Sequence, residues 1–206
     1  MIKDAYLFII PMLGLIAVCL FFGLSVPAAV LLVLTCFVAY FFRNPERTIP
    51  PGEHLVVSPA DGKVVRVSQI PDVEGEPSGR QNLSIFLNIF DVHVTRSPIK
   101  GELERLEYKR GKFKAAFDDA ASRVNEQNIL TIRGTRIRVV VKQIAGLIAR
   151  RVICWRTPGN ALERGELFGL IRFGSRVDVI LPREVRILVK VGERVKGGSS
   201  VIGEVI

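Results

Sequence analysis

Between Ala5 and Phe42 the chain carries no charged residue, and this run sets the first limit on what it can become. A helix rises about 1.5 Å per residue, so about 20 apolar residues cross a hydrocarbon core of roughly 30 Å. The stretch AYLFIIPMLGLIAVCLFFGL reaches that length. A second stretch, Val26 to Phe42, is just long enough, and Ser25 and Pro27 break the run between them. The pattern predicts a transmembrane helical hairpin that anchors the chain over residues 1–42. A cleaved signal peptide fits poorly, because the run is about twice the usual hydrophobic region and lacks a small-residue cleavage site. The competing reading is a pair of buried helices in a soluble fold.

The flanks predict the orientation. Lys3 precedes the run, Arg43 and Arg47 follow it, and the turn between the helices has no positive charge. The positive-inside rule then puts both ends in the cytoplasm, with the following domain on the inner face of the cell membrane. Lys plus Arg number 29 against 20 Asp plus Glu, a net charge of +9. Lys3 and Asp4 cancel, so the excess belongs to residues 43–206. A tethered basic domain faces anionic phospholipid, and each Lys or Arg near that surface is worth about 1 kcal/mol. That favours lipid over nucleic acid as the partner, and the interleaved aromatics of RNA binders are missing. The three cysteines, Cys19, Cys36 and Cys154, show no CxxC spacing, so neither a disulfide scaffold nor a metal site is expected.

Beyond the Pro-rich FRNPERTIPPG the sequence turns β-like. HLVVS, GKVVRVSQI, NLSIFLNI, ILTIRG, RIRVVVKQI, VDVIL and EVRILVKV are rich in β-branched residues and bounded by Gly, Pro or Asp. Their spacing predicts a mainly β domain over 43–206, a compact antiparallel sandwich or barrel-like fold. Residues 72–80 and 114–128 read as loops, and 144–156 as a short helix or a strand. SPADGKVVRV and VKVGERVKGGSSVIGEVI are alike in style, each with strands about a Gly-containing turn, as in lipoyl-like hairpins. A carrier domain of that kind would need a modified lysine, for which Lys196 is the candidate.

Few residues can do chemistry. His54 lies beside the Pro-rich linker and reads as solvated. His93 stands in SIFLNIFDVHVTRSP, where Asp91, His93 and Thr95 alternate with Phe90, Val92 and Val94. A histidine on the polar side of a strand is often structural; it becomes a base where a carboxylate orients it beside a nucleophile. Asp61 in SPADG is such a carboxylate, although Asp-Gly is also an ordinary turn. Gly197-Gly198-Ser199-Ser200 reads alone as a flexible turn, yet it stands between two strand-like runs near the chain end.

Taken in order, NPER, SPADGKV, FLNIFDVHVTRSP, the NEQN stretch, QIAGLIARRVICW, FGLIRFGSRVD and GGSSVIGEV resemble the phosphatidylserine decarboxylase proenzymes, in particular their short, archaeal-type subgroup. The resemblance covers roughly residues 40–206. It implies autocatalytic cleavage between Gly198 and Ser199, giving a large chain 1–198 and a small chain 199–206. It also implies that Ser199 becomes a pyruvoyl group, the only cofactor, with no metal and no pyridoxal phosphate. By the same resemblance His93 is the base for self-cleavage, oriented by Asp61. The expected reaction is decarboxylation of phosphatidylserine to phosphatidylethanolamine through a Schiff base, with His93 also moving a proton later. Relatives carry a second histidine three positions before this one, where Phe90 stands here. Arg176 in FGSR is a candidate for the substrate phosphate or carboxylate. A homodimer is a candidate assembly. The alternative function is a non-enzymatic, membrane-tethered lipoyl-like β module.

Overall fold

The computed structural model describes residues 1–71, 79–112, 121–146, 151–172 and 175–206. They form two compact units, Met1–Glu46 and Arg47–Ile206, the division falling four residues beyond the expected one. In the first unit α1 (Tyr6–Phe21) and α2 (Ser25–Phe41) are joined at Gly23, whose φ of +72° suits a residue without Cβ. The amide of Ile2 donates to the Phe42 carbonyl at 3.2 Å, and the Phe8 and Phe42 rings stack at 5.6 Å, closing the open end of the pair. Leu7, Ile10, Phe21, Val26 and Val33 face outward, so the helices are apolar on their exposed sides. Residues Lys3–Phe21, with a mean hydropathy of 2.2, make one helix long and apolar enough to cross a membrane. α2 is apolar but has 17 residues, short of the same measure.

The second unit is mainly β. Its strands are β1 (Leu55–Val57), β2 (Gly62–Gln69), β3 (Gln81–Leu87), β4 (Val94–Arg96), β5 (Gly101–Lys109), β6 (Gln127–Arg133) and β7 (Arg138–Ala145), then β8 (Val152–Cys154), β9 (Ala161–Leu162), β10 (Leu167–Ile171), β11 (Ser175–Leu181), β12 (Val185–Ile187), β13 (Arg194–Val195) and β14 (Val201–Val205). An eight-stranded antiparallel sheet runs β13-β2-β3-β11-β7-β6-β5-β9. Two three-stranded antiparallel sheets, β1-β14-β12 and β4-β10-β8, accompany it. The sandwich or barrel expectation is therefore refined to one long sheet with two small ones.

Alternation sets the inner face. Val64, Leu83, Ile85, Leu130, Ile132, Val141, Val177 and Val179 are fully buried, and Phe168 and Ile202 of the small sheets join the same core. β5, GELERLEYK, has too few β-branched residues to read as a strand. It pairs with β6 along its length, buries Leu103 and sets Glu102 against Arg133 at 2.9 Å.

Two local expectations are resolved differently. In SIFLNIFDVHVTRSP, β3 ends at Leu87 and a turn intervenes before β4. Residues Asp91 to Ile99 are all buried and β4 pairs with β10, so His93 has no solvated strand face. In the expected loop 114–128, residues Ala121–Val124 form a helical turn and β6 begins at Gln127; 113–120 lie outside the described residues. Of the two readings of 144–156, the described residues take the strand one, with the end of β7 and then β8. The loop expected at 72–80 falls almost wholly outside the described residues.

Candidate functional site

The two stretches of similar style lie side by side. Arg194 pairs with Lys63 and Val195 with Gly62, and the amide of Val64 donates to the Glu193 carbonyl at 2.8 Å. Gly62 is required here: a Cβ would stand 2.2 Å from the carbonyl oxygen of Phe86 on β3. The pairing sets the SPADG turn against the 196–200 turn. Asp61 Oδ1 accepts from the Gly197 amide at 2.8 Å, and the Asp61 carboxylate is also held by Arg47 Nη2 at 2.8 Å.

The GGSS segment is a tight, doubly anchored turn. The amides of Ser199 and Ser200 both donate to the Lys196 carbonyl, at 3.1 and 2.9 Å. Ser58 grips either side of Ser199: its carbonyl accepts from Gly198 N at 2.8 Å, and its amide donates to the Ser200 carbonyl at 2.8 Å. Gly198 has φ +80°, and a Cβ there would meet Arg96 Cδ at 3.0 Å and Ile49 Cδ1 at 3.1 Å. Ser199 itself is half-buried. The segment is thus fixed and closely approached, unlike a linker. Lys196, the carrier alternative's lysine, is exposed beside it.

His93 is fully buried just before β4. Its Nδ1 lies 2.9 Å from the Asp91 carbonyl oxygen. A carbonyl only accepts, so the proton of that bond sits on Nδ1, and in the neutral ring the lone pair falls on Nε2. That is the tautomer a general base needs. The Asp91 carboxylate accepts from the Asn88 amide at 2.9 Å and pairs with Arg194 of β13, which ties the histidine turn to the strand leading into 196–200. The observed contacts therefore put the Asp91 backbone on His93, and the Asp61 carboxylate on Arg47 and Gly197. Phe90 is exposed.

Arg96 is the residue that sequence reading missed. It is buried, its amide donates to the Pro59 carbonyl at 2.9 Å, and its Nη1 donates to the Gly165 carbonyl at 2.8 Å. Burial lowers the proton affinity of its guanidinium and the Arg47 charge adds to that, while Asp61 counters it. The available signal was its place three residues after His93 in FLNIFDVHVTRSP. Arg47, read from sequence as a membrane-flanking charge, is mostly buried in its pair with Asp61. Arg176 is buried on β11 with Nε 2.9 Å from Asp178 Oδ1. Ile49, against Gly198, also lines a cleft of about 1030 Å³ with Pro50, Lys100, Arg136, Leu162 and Arg164.

Known proteins resemble this chain over most of its length. The family model described as phosphatidylserine decarboxylase matches residues 34–203. The chain is similar to the phosphatidylserine decarboxylase proenzyme of Syntrophus aciditrophicus, 48% identical over 175 residues, which are 84% of this chain and 81% of that one. It is 50% identical over 172 residues to the proenzyme of Solibacter usitatus, covering 84% and 80% of the two chains. The proenzyme of a Geobacter species is 43% identical over 194 residues, covering 93% and 88%. The chain that holds this fixed glycine–serine turn and the buried His93 thus belongs to the phosphatidylserine decarboxylase family.

Proposed function

We propose that this chain divides itself between Gly198 and Ser199, and that the resulting enzyme removes CO2 from the serine headgroup of phosphatidylserine to leave phosphatidylethanolamine. The observation that carries the reading is the clamped Gly198–Ser199 turn, with Ser58 bonded on either side of the serine and Gly198 at φ +80° closely approached by Arg96 and Ile49. A bond presented in one conformation needs little further ordering to reach an attacking geometry.

The residues fit a pyruvoyl group formed from Ser199. The small chain would be residues 199–206, and β14 holds it between β1 and β12 without a covalent link. The new terminus would face Gly197, Gly198 and the buried rim of Arg96 and Ile49. The group's ketone supplies an electron sink for the carbanion left by CO2. His93, its tautomer set by the Asp91 carbonyl, is the proposed base that takes the Ser199 hydroxyl proton, and it is also the proposed group for the later proton transfer. In this proposal Asp61 completes the expected set by fixing Gly197, and its carboxylate supplies the negative charge of the site. For Arg176 to meet the substrate's phosphate, Asp178 would have to release it. The cleft bounded by Ile49 and Arg136 offers an apolar and basic route that needs no such opening.

The membrane reading extends from one apolar helix to two. The Ile2–Phe42 hydrogen bond keeps the ends of α1 and α2 together, which supports a hairpin whose two ends share the cytoplasmic side of the cell membrane. Anionic phospholipid is the surface that its net charge of +9 suits. The assignment to the short, archaeal-type subgroup rests on motif order alone.

Intact-mass analysis of the purified chain tests the central claim. Wild type should give two chains split at 198/199, and both Ser199→Ala and His93→Ala should remain whole. A split chain from Ser199→Ala sinks the cleavage assignment, and full-speed cleavage in His93→Ala removes the histidine as base.

A further inference from the structure

Two side-chain amides interrupt the apolar inner face of the long sheet. On β7 the inward residues are Val139, Val141, Gln143 and Ala145, all fully buried. Across from them on β6, Ile132 faces Val139, Leu130 faces Val141 and Asn128 faces Gln143. Asn128 closes the NEQN stretch and Gln143 opens QIAGLIARRVICW, so two of the sequence motifs meet at this pair. A buried amide costs free energy unless its donors and its acceptor are engaged.

Gln143 is engaged on every side. Asn128 Nδ2 donates to Gln143 Oε1 at 2.9 Å, and Gln143 Nε2 donates to Thr95 Oγ1 at 2.8 Å and to the Ile153 carbonyl at 3.3 Å. Those two acceptors sit on β4 and β8, the outer strands of the sheet β4-β10-β8. The middle strand admits the amide at Gly169, which pairs with Thr95 on one side and Cys154 on the other. A Cβ on Gly169 would stand 2.8 Å from Gln143 Nε2 and 3.2 Å from Thr95 Oγ1. Gln143 therefore reaches out of the long sheet and bonds both outer strands of the small one, across a residue without a side chain. A polar group satisfied in this way inside a core specifies one arrangement, because any other leaves it unpaired.

We infer that Gln143, held by Asn128, is a positioning residue: through Thr95 it fixes the register of β4 and so the placement of His93. The inference rests on the reading of His93 as the base. β4 has three residues and within its sheet pairs with β10 alone. That pairing shifts register between Leu167 and Gly169, so the ladder is both short and irregular. Thr95 lies two residues beyond His93, whose carbonyl accepts from Ile171 N at 3.1 Å beside the same ladder. A slip of β4 by one residue would turn Thr95 away from Gln143 and carry His93 with it. The bond from Gln143 opposes that slip from outside the sheet that β4 belongs to.

The test uses the full chain in detergent. Gln143→Met removes all three bonds, Thr95→Val removes one and keeps the shape, and Thr95→Ser keeps the oxygen. Cleavage followed by intact mass against time should slow about 10- to 100-fold in the first two, the scale of a displaced reacting group, and stay close to wild type in Thr95→Ser. The second readout is independent of activity. His54 and His93 are the chain's two histidines, so NMR of histidine labelled with the heavy nitrogen isotope, in a Ser199→Ala background, gives two sets of ring signals. Above the ordinary histidine pKa of about 6.5, His93 should show the Nδ1-protonated tautomer that the Asp91 carbonyl sets. With Gln143→Met or Thr95→Val added, those signals should shift or broaden while the signals of the exposed His54 stay in place. Thermal melts establish which variants fold; if Gln143→Met does not, Thr95→Val decides. Wild-type cleavage in the deciding variant, His93 signals unmoved by it, or a Thr95→Ser chain no better than Thr95→Val would each overturn the inference. Cleavage in Ser199→Ala, or full-speed cleavage in His93→Ala, would instead overturn the reading beneath it.

Discussion

Arg47 Nη2 donates to both carboxylate oxygens of Asp61, at 2.9 and 2.8 Å, so the first residues after the helical unit are bonded into the turn that holds Gly197. Both side chains are largely shielded, at 10% and 16% exposure. The contact converts a charge that looks like a membrane flank into part of the site. It also explains why one carboxylate can serve two turns: Oδ1 takes the Gly197 amide while Arg47 neutralises the group.

Removing Arg47 should therefore cost more than a surface charge would. Breaking a buried ion pair from one side costs about 3–5 kcal/mol, because the remaining charge is stranded. With some solvent at this pair, Arg47→Met is expected near the low end, about 3 kcal/mol. Denaturant unfolding of the full chain in detergent measures it. The same variant should process more slowly, since Asp61 loses the partner that aims it at Gly197; a shift below about 0.5 kcal/mol would show the pair to be ornamental.

Gly198→Ala puts a methyl where φ is +80° and where Arg96 and Ile49 already stand at 3.0 and 3.1 Å. The left-handed conformation alone costs a non-glycine residue about 1–2 kcal/mol. The turn should shift off Ser58, and cleavage followed by mass against time should slow at least about tenfold with the fold retained. Wild-type kinetics would mean that the turn's fixed shape does not govern the reaction.

After cleavage the eight-residue small chain should stay bound. β14 is paired on both sides, and Ile202 is fully buried in the core. Gel filtration in detergent should keep the peptide with the large chain until denaturant is added. Ile202→Ala removes core volume and should destabilise the fold by about 2–5 kcal/mol, with release of the peptide at lower denaturant. Spontaneous loss of the wild-type peptide would contradict the pairing.

Cys154 offers a pH test outside the site. Burial raises its thiol pKa, more than the Arg156 backbone hydrogen bond and charge lower it. A raised pKa leaves less thiolate at a given pH, and the thiolate is the nucleophile. Alkylation of Cys154 by iodoacetamide at pH 8 should be slower than that of free cysteine and should keep rising above pH 9. A rate equal to free cysteine at pH 8 would show the thiol to be solvated.

The sequence by itself determined the apolar run, the β character of residues beyond the Pro-rich linker, and the residues of the family's motifs. These are local properties: an uncharged stretch has few fates, and alternation with β-branched residues shows wherever one sheet face is buried. The strands at 62–69, 127–133, 138–145 and 175–181 were legible for that reason. β5 was not, because its place depends on β6 beside it rather than on its own GELERLEYK. The burial of the histidine turn was not legible because solvent exposure depends on what packs around a segment rather than on its own residues. Tertiary structure alone decided the partners: Arg47 with Asp61, Asp61 with Gly197, the Asp91 carbonyl with His93, and Arg96 beside Gly198. Those contacts join residues up to 136 positions apart. No local propensity encodes such a separation; the pairing of β13 with β2 and the burial of β4 bring the residues together.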